Sequence, residues 1–125
     1  MKMQESPEDY LETIYMLSLE KNEVRSIDVA RHLGFSKTSV SVAMKRLREN
    51  GYVDMDDNNY LTLTAAGKEI AVKVFERHNV LAGYLRSVGV SADTAARDAC
   101  RLEHVLSEES FQILKGLYLQ SQKNN

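Results

Sequence analysis

Residues 26–51 constrain the fold more than any other stretch of this chain. They read SIDVARHLGFSKTSVSVAMKRLRENG. Ser26 is a suitable N-cap for a short helix over 27–33, and Ser36 is a suitable N-cap for a second helix over 37–50, each followed by a glycine. Two short helices joined by a tight, glycine-containing turn form a helix-turn-helix motif.

Apolar residues repeat at helical spacing in both helices, so one face of each is expected to be buried. The inward residues are Ile27, Ala30 and Leu33 in the first helix and Val40, Met44 and Leu47 in the second. The next segment, 52-YVDMDDNNYLTLT-64, has β-prone residues on both sides of the turn-forming DDNN. A hairpin directly after a helix-turn-helix is the winged-helix arrangement.

The rest of the chain is predicted to be helical. Serine and threonine residues precede the helices, as N-caps do, and Pro7 suits a first helical position. The predicted helices run from Ser6-Pro7 to about Leu19, from Ala65 (after Thr64) to Ser87, from 92 (after Ser91) to 106, and from Ser107 to about Leu119. The segment 20–25 is expected to be a loop and the tail 120–125 to be frayed. The fold class is therefore mainly α, with a winged helix-turn-helix domain over 1–64 and a helical domain over 65–125.

The charge distribution points to nucleic acid. Residues 25–50 contain six Lys and Arg but only two Asp and Glu, in a chain of net charge −2, and a confined basic surface suits phosphate groups. The N-terminal end of a recognition helix reads base edges, and its neighbours bind phosphates. The candidate DNA-binding residues are Arg25, Ser36, Lys37, Thr38, Ser39, Ser41, Val42, Lys45 and Arg46. The alternatives are a solvated helix face and, for the hydroxyl residues, simple helix capping.

Other classes are excluded or disfavoured by composition. No apolar run is long enough to span a membrane, and the N-terminus lacks the apolar region of a signal peptide. We therefore expect a cytoplasmic protein. The chain has one cysteine, which cannot form an internal disulfide and is free, a ligand or reactive.

That cysteine lies in 98-DACRLEHVLSEES-110, where Cys100, Glu103 and His104 fall on one narrow helix face. All three are metal-ligand types. Alternatively, Cys100 is a small core residue and Glu103 pairs with a surface arginine.

Further candidate ligands lie elsewhere in the chain. Asp9 and Glu12 stand three residues apart on the first helix, and His78 is midway along the long helix. Each also has an ordinary explanation: Asp9 as the partner of Ser6 in a capping box, Glu12 as a surface charge, and His78 as a core histidine.

In the order and spacing of these segments, the chain resembles the diphtheria-toxin-repressor family of metal-dependent transcription regulators, which includes the manganese-responsive MntR regulators. The matching segments are 8-EDYLETIYML-17, 26-SIDVARHLGFSKTSVSVAMKRLRENGYV-53, 60-YLTLTAAGKEIA-71, 77-RHNVLAGYLRSVGV-90 and 99-ACRLEHVLSEES-110. They follow the expected order and cover most of residues 7 to 110.

The resemblance implies a metal-binding and dimerisation role for the helical domain. It places metal ligands at Asp9, Glu12, His78, Cys100, Glu103 and His104. It also implies a homodimer that binds double-stranded DNA at a palindromic operator and represses metal-uptake genes. Ala82 stands where many relatives have an acidic residue, and 93-DTAARDA-99 lacks the histidine of the iron-type relatives. We therefore expect a short form, without the SH3-like domain of many iron-type forms.

The donor types bear on the metal. Carboxylates suit hard ions such as Mn²⁺, whereas the Cys100 thiolate shifts preference towards softer ions. The mixed donor set favours Fe²⁺, with Mn²⁺ next, and Zn²⁺, Co²⁺ or Ni²⁺ as ions acquired in vitro.

Three other functions compete with this one. A metal-independent winged-helix regulator would sense a small molecule or oxidation at Cys100. A metalloenzyme is disfavoured, since no H-E-x-x-H spacing occurs, so the chain is predicted not to be an enzyme. A pure interaction module is the third.

Overall fold

The computed structural model describes residues 7–123. Over this range the chain is mainly helical, with six helices and one two-stranded antiparallel sheet. The elements are α1 (Pro7–Glu20), α2 (Ser26–Leu33), α3 (Lys37–Glu49), β1 (Val53–Met55), β2 (Leu61–Leu63), α4 (Ala65–Ser87), α5 (Ala92–Leu102) and α6 (Glu108–Lys123). This order of elements confirms the predicted winged helix-turn-helix followed by a helical domain.

The chain divides into two compact units, one ending at Lys73 and the other beginning at Val74. The division falls within α4, so this helix contributes to both units. The domain boundary predicted between residues 64 and 65 stays a prediction.

Hydroxyl side chains begin four of the helices, as the sequence predicted. Ser36 Oγ accepts a hydrogen bond from Ser39 N at 3.1 Å, and Thr64 Oγ1 accepts one from Gly67 N at 3.1 Å. Ser91 and Ser107 cap α5 and α6 in the same way. Such a cap satisfies a backbone N–H that the helix itself cannot, and it stabilises a helix by about 1 kcal/mol.

Three predicted helix ends are wrong. Ser26 is the first residue of α2 rather than its cap, because the Asp28 carboxylate accepts a hydrogen bond from Arg25 N at 2.9 Å and makes Arg25 the N-cap. Helix α5 ends at Leu102 instead of 106, and α6 continues to Lys123, so residues 120–123 are helical. The predicted cap at Ser6 lies outside the described residues.

The hairpin has the predicted position and a register set by its turn. Val53 pairs with Leu63 and Met55 with Leu61. Within the turn, the Asp56 carboxylate accepts hydrogen bonds from Asn58 N at 2.8 Å and Tyr60 N at 3.0 Å. Local acceptance of this kind is why Asp and Asn favour turns.

The segment 20–25, which was predicted to be a loop, also contains a β-bridge. Val24, 1% exposed, forms an isolated antiparallel bridge with Leu61, whose N–H donates to Val24 O at 2.7 Å. The hairpin is thereby joined to the chain between α1 and α2.

The N-terminal unit has one apolar core to which every element contributes. Val40, Met44 and Leu47 of α3 are buried as predicted, but α2 buries Val29 and Ala30 more fully than Ile27 and Leu33. The buried cluster comprises Tyr10, Leu11, Ile14, Val24, Val29, Ala30, Val40, Met44, Leu47, Val53, Leu61 and Ala71. Because the inner face of α3 is fixed in this core, its outer face is held at the surface.

The C-terminal unit has its own smaller core. Leu81, Ala82 and Ala99 are buried together, with Leu102, Leu106 and Leu114 packed against them. This core joins the second half of α4 to α5 and α6, and therefore positions side chains that project from their ends.

A glycine in the first turn of α4 reports on the packing of the N-terminal unit. A Cβ on Gly67 would overlap the backbone carbonyl of Tyr52, whereas a Cβ on Gly116 of α6 meets no atom within 4 Å. We expect Gly67→Ala to lower the free energy of unfolding by about 1–3 kcal/mol. Gly116→Ala, the matched control, should be neutral or stabilise by about 0.5–1 kcal/mol. Urea unfolding of both variants checks this, and equal stabilities would contradict it.

Candidate metal centre and nucleic-acid interface

Three predicted metal ligands converge in the C-terminal unit. His78 lies midway along α4, and Cys100 and Glu103 lie at the end of α5. His78 Nδ1 is 2.9 Å from Glu103 Oε1 and 3.8 Å from Cys100 Sγ. One donor atom of each residue lies within 4.8 Å of the other two. Atoms that bind one ion at about 2.1 Å lie about 3–4 Å apart, so the trio has the size of a metal site.

The early end of α5 changes how these residues are presented. Cys100 is in the last turn of the helix, Glu103 is the C-cap with αR geometry, and His104 is in the turn that follows. Glu103 keeps the helical hydrogen bond, since its N–H donates to Ala99 O at 2.9 Å, so the three residues follow one another at the C-terminal end of α5. In that turn, the backbone N–H groups of Val105 and Leu106 both donate to Leu102 O, at 3.1 and 3.0 Å.

Glu103 is the most constrained member of the group. Its side chain is fully buried. Within residues 7–123, its Oε2 has no hydrogen-bond partner, and the closest ion-pair contact described for that atom is His104 Nε2 at 3.5 Å. A buried carboxylate oxygen without a partner is costly. A divalent cation would satisfy it, so the residues present fit a metal ion.

The charge state of His78 follows from the same contacts. Hydrogen bonds to Cys100 and then to Glu103 raise the pKa of His78 from 6.5 to about 10, although burial of the imidazole opposes the change. A proton on Nδ1 therefore sits between the donor atoms that a metal ion would use. Because an ion binds the neutral imidazole, metal uptake at this position releases that proton.

The other two predicted ligands belong to the N-terminal unit. Asp9 and Glu12 lie one turn apart on α1, where Asp9 is half-buried and Glu12 is 8% exposed. Their burial is unusual for carboxylates and contradicts the alternative that Glu12 is a surface charge. That Asp9 and Glu12 are metal ligands stays a prediction.

Ala82, which occupies the position of an acidic residue in many relatives, is only 4% exposed and packs against Leu81 and Ala99. A carboxylate there would be buried in apolar surroundings. The packing therefore gives a physical reason for the small apolar residue at this position.

The predicted DNA-binding residues of α3 form one exposed surface. All of them are exposed, including Val42 at 49%. They are Lys37, Thr38, Ser39, Ser41, Val42, Lys45 and Arg46. Since Val40, Met44 and Leu47 face the core, this surface is available to a partner along the whole helix.

Two other predicted DNA-binding residues have structural roles as well. Ser36 Oγ caps α3 and donates to Ser39 Oγ at 3.1 Å, so its hydroxyl is engaged locally. The guanidinium of Arg25 stacks 4.5 Å from the ring centroid of Tyr60, beside the hairpin. Capping accounts for Ser36 without DNA, whereas Arg25 remains exposed.

Sequence reasoning missed two arginines. Arg48 is exposed at the end of α3, with Nη1 3.1 Å from Met55 Sδ, beside the turn of the hairpin. Arg77 lies beside His78 and contacts the turn that contains Glu103. Arg48 was visible in the basic charge of 25–50, but nothing in the sequence indicated the contacts of Arg77, which lie 26 residues or more away.

Family models match nearly the whole chain. The DNA-binding domain of the iron dependent repressors matches residues 2–60, and their metal binding and dimerisation domain matches residues 64–123. An uncharacterised HTH-type transcriptional regulator of Methanocaldococcus jannaschii is 36% identical over 115 residues, which are 90% of this chain and 92% of the relative. The chain belongs to the iron-dependent, or diphtheria-toxin-repressor, family.

Other members of this family are named for manganese. The transcriptional regulator MntR of Escherichia coli is 37% identical over 108 residues, covering 86% of this chain and 70% of the relative. A solved manganese-dependent transcriptional repressor in complex with manganese is 26% identical, with a TM-score of 0.83 over 90% of this chain. This chain spans 52% of that solved chain.

Membership of the family tests the predicted class of protein, regulator or enzyme. The family and these relatives are transcriptional regulators rather than enzymes, as the sequence predicted. The matched domains support DNA binding, a divalent metal and a homodimer. None of the helices within residues 7–123 is both long and apolar enough to cross a membrane.

The raised pKa of His78 makes the stability of the metal-free protein depend on pH. The folded pKa of about 10 exceeds the unfolded value of 6.5. The stabilisation is therefore fully present below pH 6.5 and is lost as pH rises towards 10, by roughly 1 kcal/mol per pH unit at most. Urea unfolding with chelator between pH 6 and 8.5 should show this decline. His78→Gln should flatten it, and an identical pH dependence in the variant would contradict the assignment.

Proposed function

We propose that this protein is a metal-dependent transcriptional repressor that controls genes for metal uptake. The observation that carries the proposal is the group of His78, Cys100 and Glu103, in which one buried carboxylate oxygen has no hydrogen bond among the described residues. The same chain exposes a basic recognition helix. The cytoplasmic location expected from the sequence belongs to this proposal.

We propose that the metal ligands are His78, Cys100, Glu103 and His104, together with Asp9 and Glu12 as the sequence predicts. Fe²⁺ is the favoured ion and Mn²⁺ the alternative. The thiol of Cys100 supports iron, since thiolate prefers softer ions than carboxylate does. The manganese names of several relatives support the alternative.

The regulatory step follows from linkage. An ion that binds one conformation better than others shifts the population towards that conformation. The carboxylates among the proposed ligands repel one another without metal, and a divalent cation relieves that repulsion. The ion therefore favours the ordered form of the centre, which we propose is the form that binds DNA.

A homodimer is needed for the proposed palindromic operator. Two recognition helices must lie about 34 Å apart to enter successive major grooves on one side of the duplex. Helix α6 supports self-association, because Ile113 and Leu117 lie four residues apart on it and are 61% and 48% exposed. Exposed apolar residues at this spacing form a stripe suited to a partner helix.

Oxidation sensing by Cys100 is less well supported. Its Sγ lies next to the imidazole of His78 and belongs to the same group as the Glu103 carboxylate. The thiol is therefore placed among metal-ligand atoms.

The metal switch is tested by anaerobic binding to a palindromic promoter fragment with Fe²⁺, Mn²⁺, Zn²⁺ or chelator. We expect binding about 5–150-fold tighter with Fe²⁺ than with chelator, the usual range of coupling between two sites. Cys100→Glu should weaken the Fe²⁺ response and retain the Mn²⁺ response, since it replaces the thiolate with a harder donor. Cys100 is the only thiol of the chain, so no other cysteine confuses the result. Equal binding with metal and chelator would overturn the switch.

The recognition surface is tested through the salt dependence of the same binding. Removing one cation that binds a phosphate should lower the slope of log K against log salt by about 0.9 per half-site. We expect this of Lys45→Gln and Arg46→Gln, which are exposed on α3. Lys73→Gln, an exposed charge on α4, is the matched control and should leave the slope unchanged. A control that behaves like the two α3 variants would indicate a general charge effect.

A further inference from the structure

Arg77 contacts both the turn that carries Glu103 and the helix that follows it, α6. Its Nη1 donates to Leu106 O at 2.7 Å and to Glu103 O at 3.3 Å. Its Nη2 forms an ion pair with Glu108 Oε1 at 2.9 Å, and its guanidinium carbon lies 4.9 Å from the ring centroid of Phe111. The side chain is 16% exposed, so these contacts are only partly screened by water.

The turn after α5 needs such a partner. The last carbonyls of a helix have no N–H partner within the helix and must be satisfied from outside. Glu103 is the C-cap of α5, so no further helical turn follows to hold its backbone carbonyl. The carbonyl that Arg77 holds at 3.3 Å is that of Glu103 itself.

We propose that Arg77 is a positioning residue for the metal centre: by bonding Glu103 O and Leu106 O, it holds the Glu103 carboxylate where the ion binds. The inference rests on the proposed function, because it requires that the centre takes up metal. His78 is the next residue along α4, so one helical turn supplies both a candidate ligand and the support for another.

The chemistry of this support is specific to arginine. Its planar guanidinium directs several N–H groups at fixed angles and stacks on aromatic rings, whereas lysine offers a single rotating ammonium group. Arg77 uses both properties, since it bonds two carbonyls and a carboxylate while facing Phe111. Lysine keeps the charge but cannot make this set of contacts.

Two ion pairs join α4 to α6, and comparing them distinguishes positioning of the centre from simple helix packing. The Arg77–Glu108 pair connects α4 to α6, and the same guanidinium also bonds the turn after α5. Lys115 Nζ and Glu76 Oε2, 2.7 Å apart, connect the same two helices without any described contact to the turn. Lys115→Gln is therefore a matched control for loss of an α4–α6 ion pair.

The experiment is anaerobic titration with Co²⁺, whose absorption spectrum reports the number and type of ligands. Arg77→Met keeps an apolar stem and removes every donor. We expect it to weaken Co²⁺ binding by about 10–100-fold, the usual effect of losing a group that orients a metal ligand. The d–d spectrum should change as the Glu103 carboxylate is displaced, and Arg77→Lys should restore the affinity only in part. Lys115→Gln should match the wild type in affinity and spectrum.

Unfolding of each metal-free variant is measured alongside, so that folding and metal binding are read separately. If Arg77→Met lowers stability but keeps wild-type affinity and spectrum, the residue is only structural and the inference is wrong. If Arg77→Met does not fold, Arg77→Lys decides: wild-type affinity and spectrum in that variant overturn the inference. Wild-type protein that binds no Co²⁺ would overturn the proposed metal centre itself, which distinguishes the two failures.

Discussion

The carboxylate of Glu103 is removed from water at a point where the protein supplies too few partners for it. One oxygen is 2.9 Å from the imidazole of His78, and the other is buried with no hydrogen bond among the described residues. Burial of a negative charge is tolerated only when positive charge lies close to it. In the metal-free protein the protonated imidazole of His78 provides part of that positive charge. The hydrogen bond between the two groups also contributes to the raised pKa of His78.

This arrangement depends on where α5 ends. A helix continuing to residue 106 would carry Glu103 and His104 along its surface, whereas the observed end at Leu102 places them in a turn. The turn is held by its own hydrogen bonds and by Arg77, which also reaches Glu108 at the start of α6. The candidate metal centre and the helix that exposes Ile113 and Leu117 are therefore joined through one side chain within a single unit.

In the N-terminal unit, α3 exposes a polar face while its opposite face is packed in the core. Val40, Met44 and Leu47 fix α3 in the core, and Ser36 satisfies its N-terminal backbone. Arg25 and Arg48 then flank the hairpin through contacts with Tyr60 and Met55. The basic surface is thus built on a rigid core, as recognition by shape and phosphate contacts requires.

The sequence by itself determined the features that depend on neighbours within about four residues. The caps at Ser36, Thr64, Ser91 and Ser107 are of this kind, because each joins a side chain to a backbone group three residues on. The same holds for the hairpin turn and for the buried face of α3. Residue type, helical spacing and the resemblance to a known family made His78, Cys100 and Glu103 candidate ligands.

Only the tertiary structure decided what depends on distant partners. The bridge between Val24 and Leu61 and the contacts of Arg77 with residues 103–108 join segments more than 25 residues apart. No periodicity or capping rule encodes such pairs, since they form only when separate elements pack together. The end of α5 was likewise predicted at residue 106, four residues beyond its observed end at Leu102.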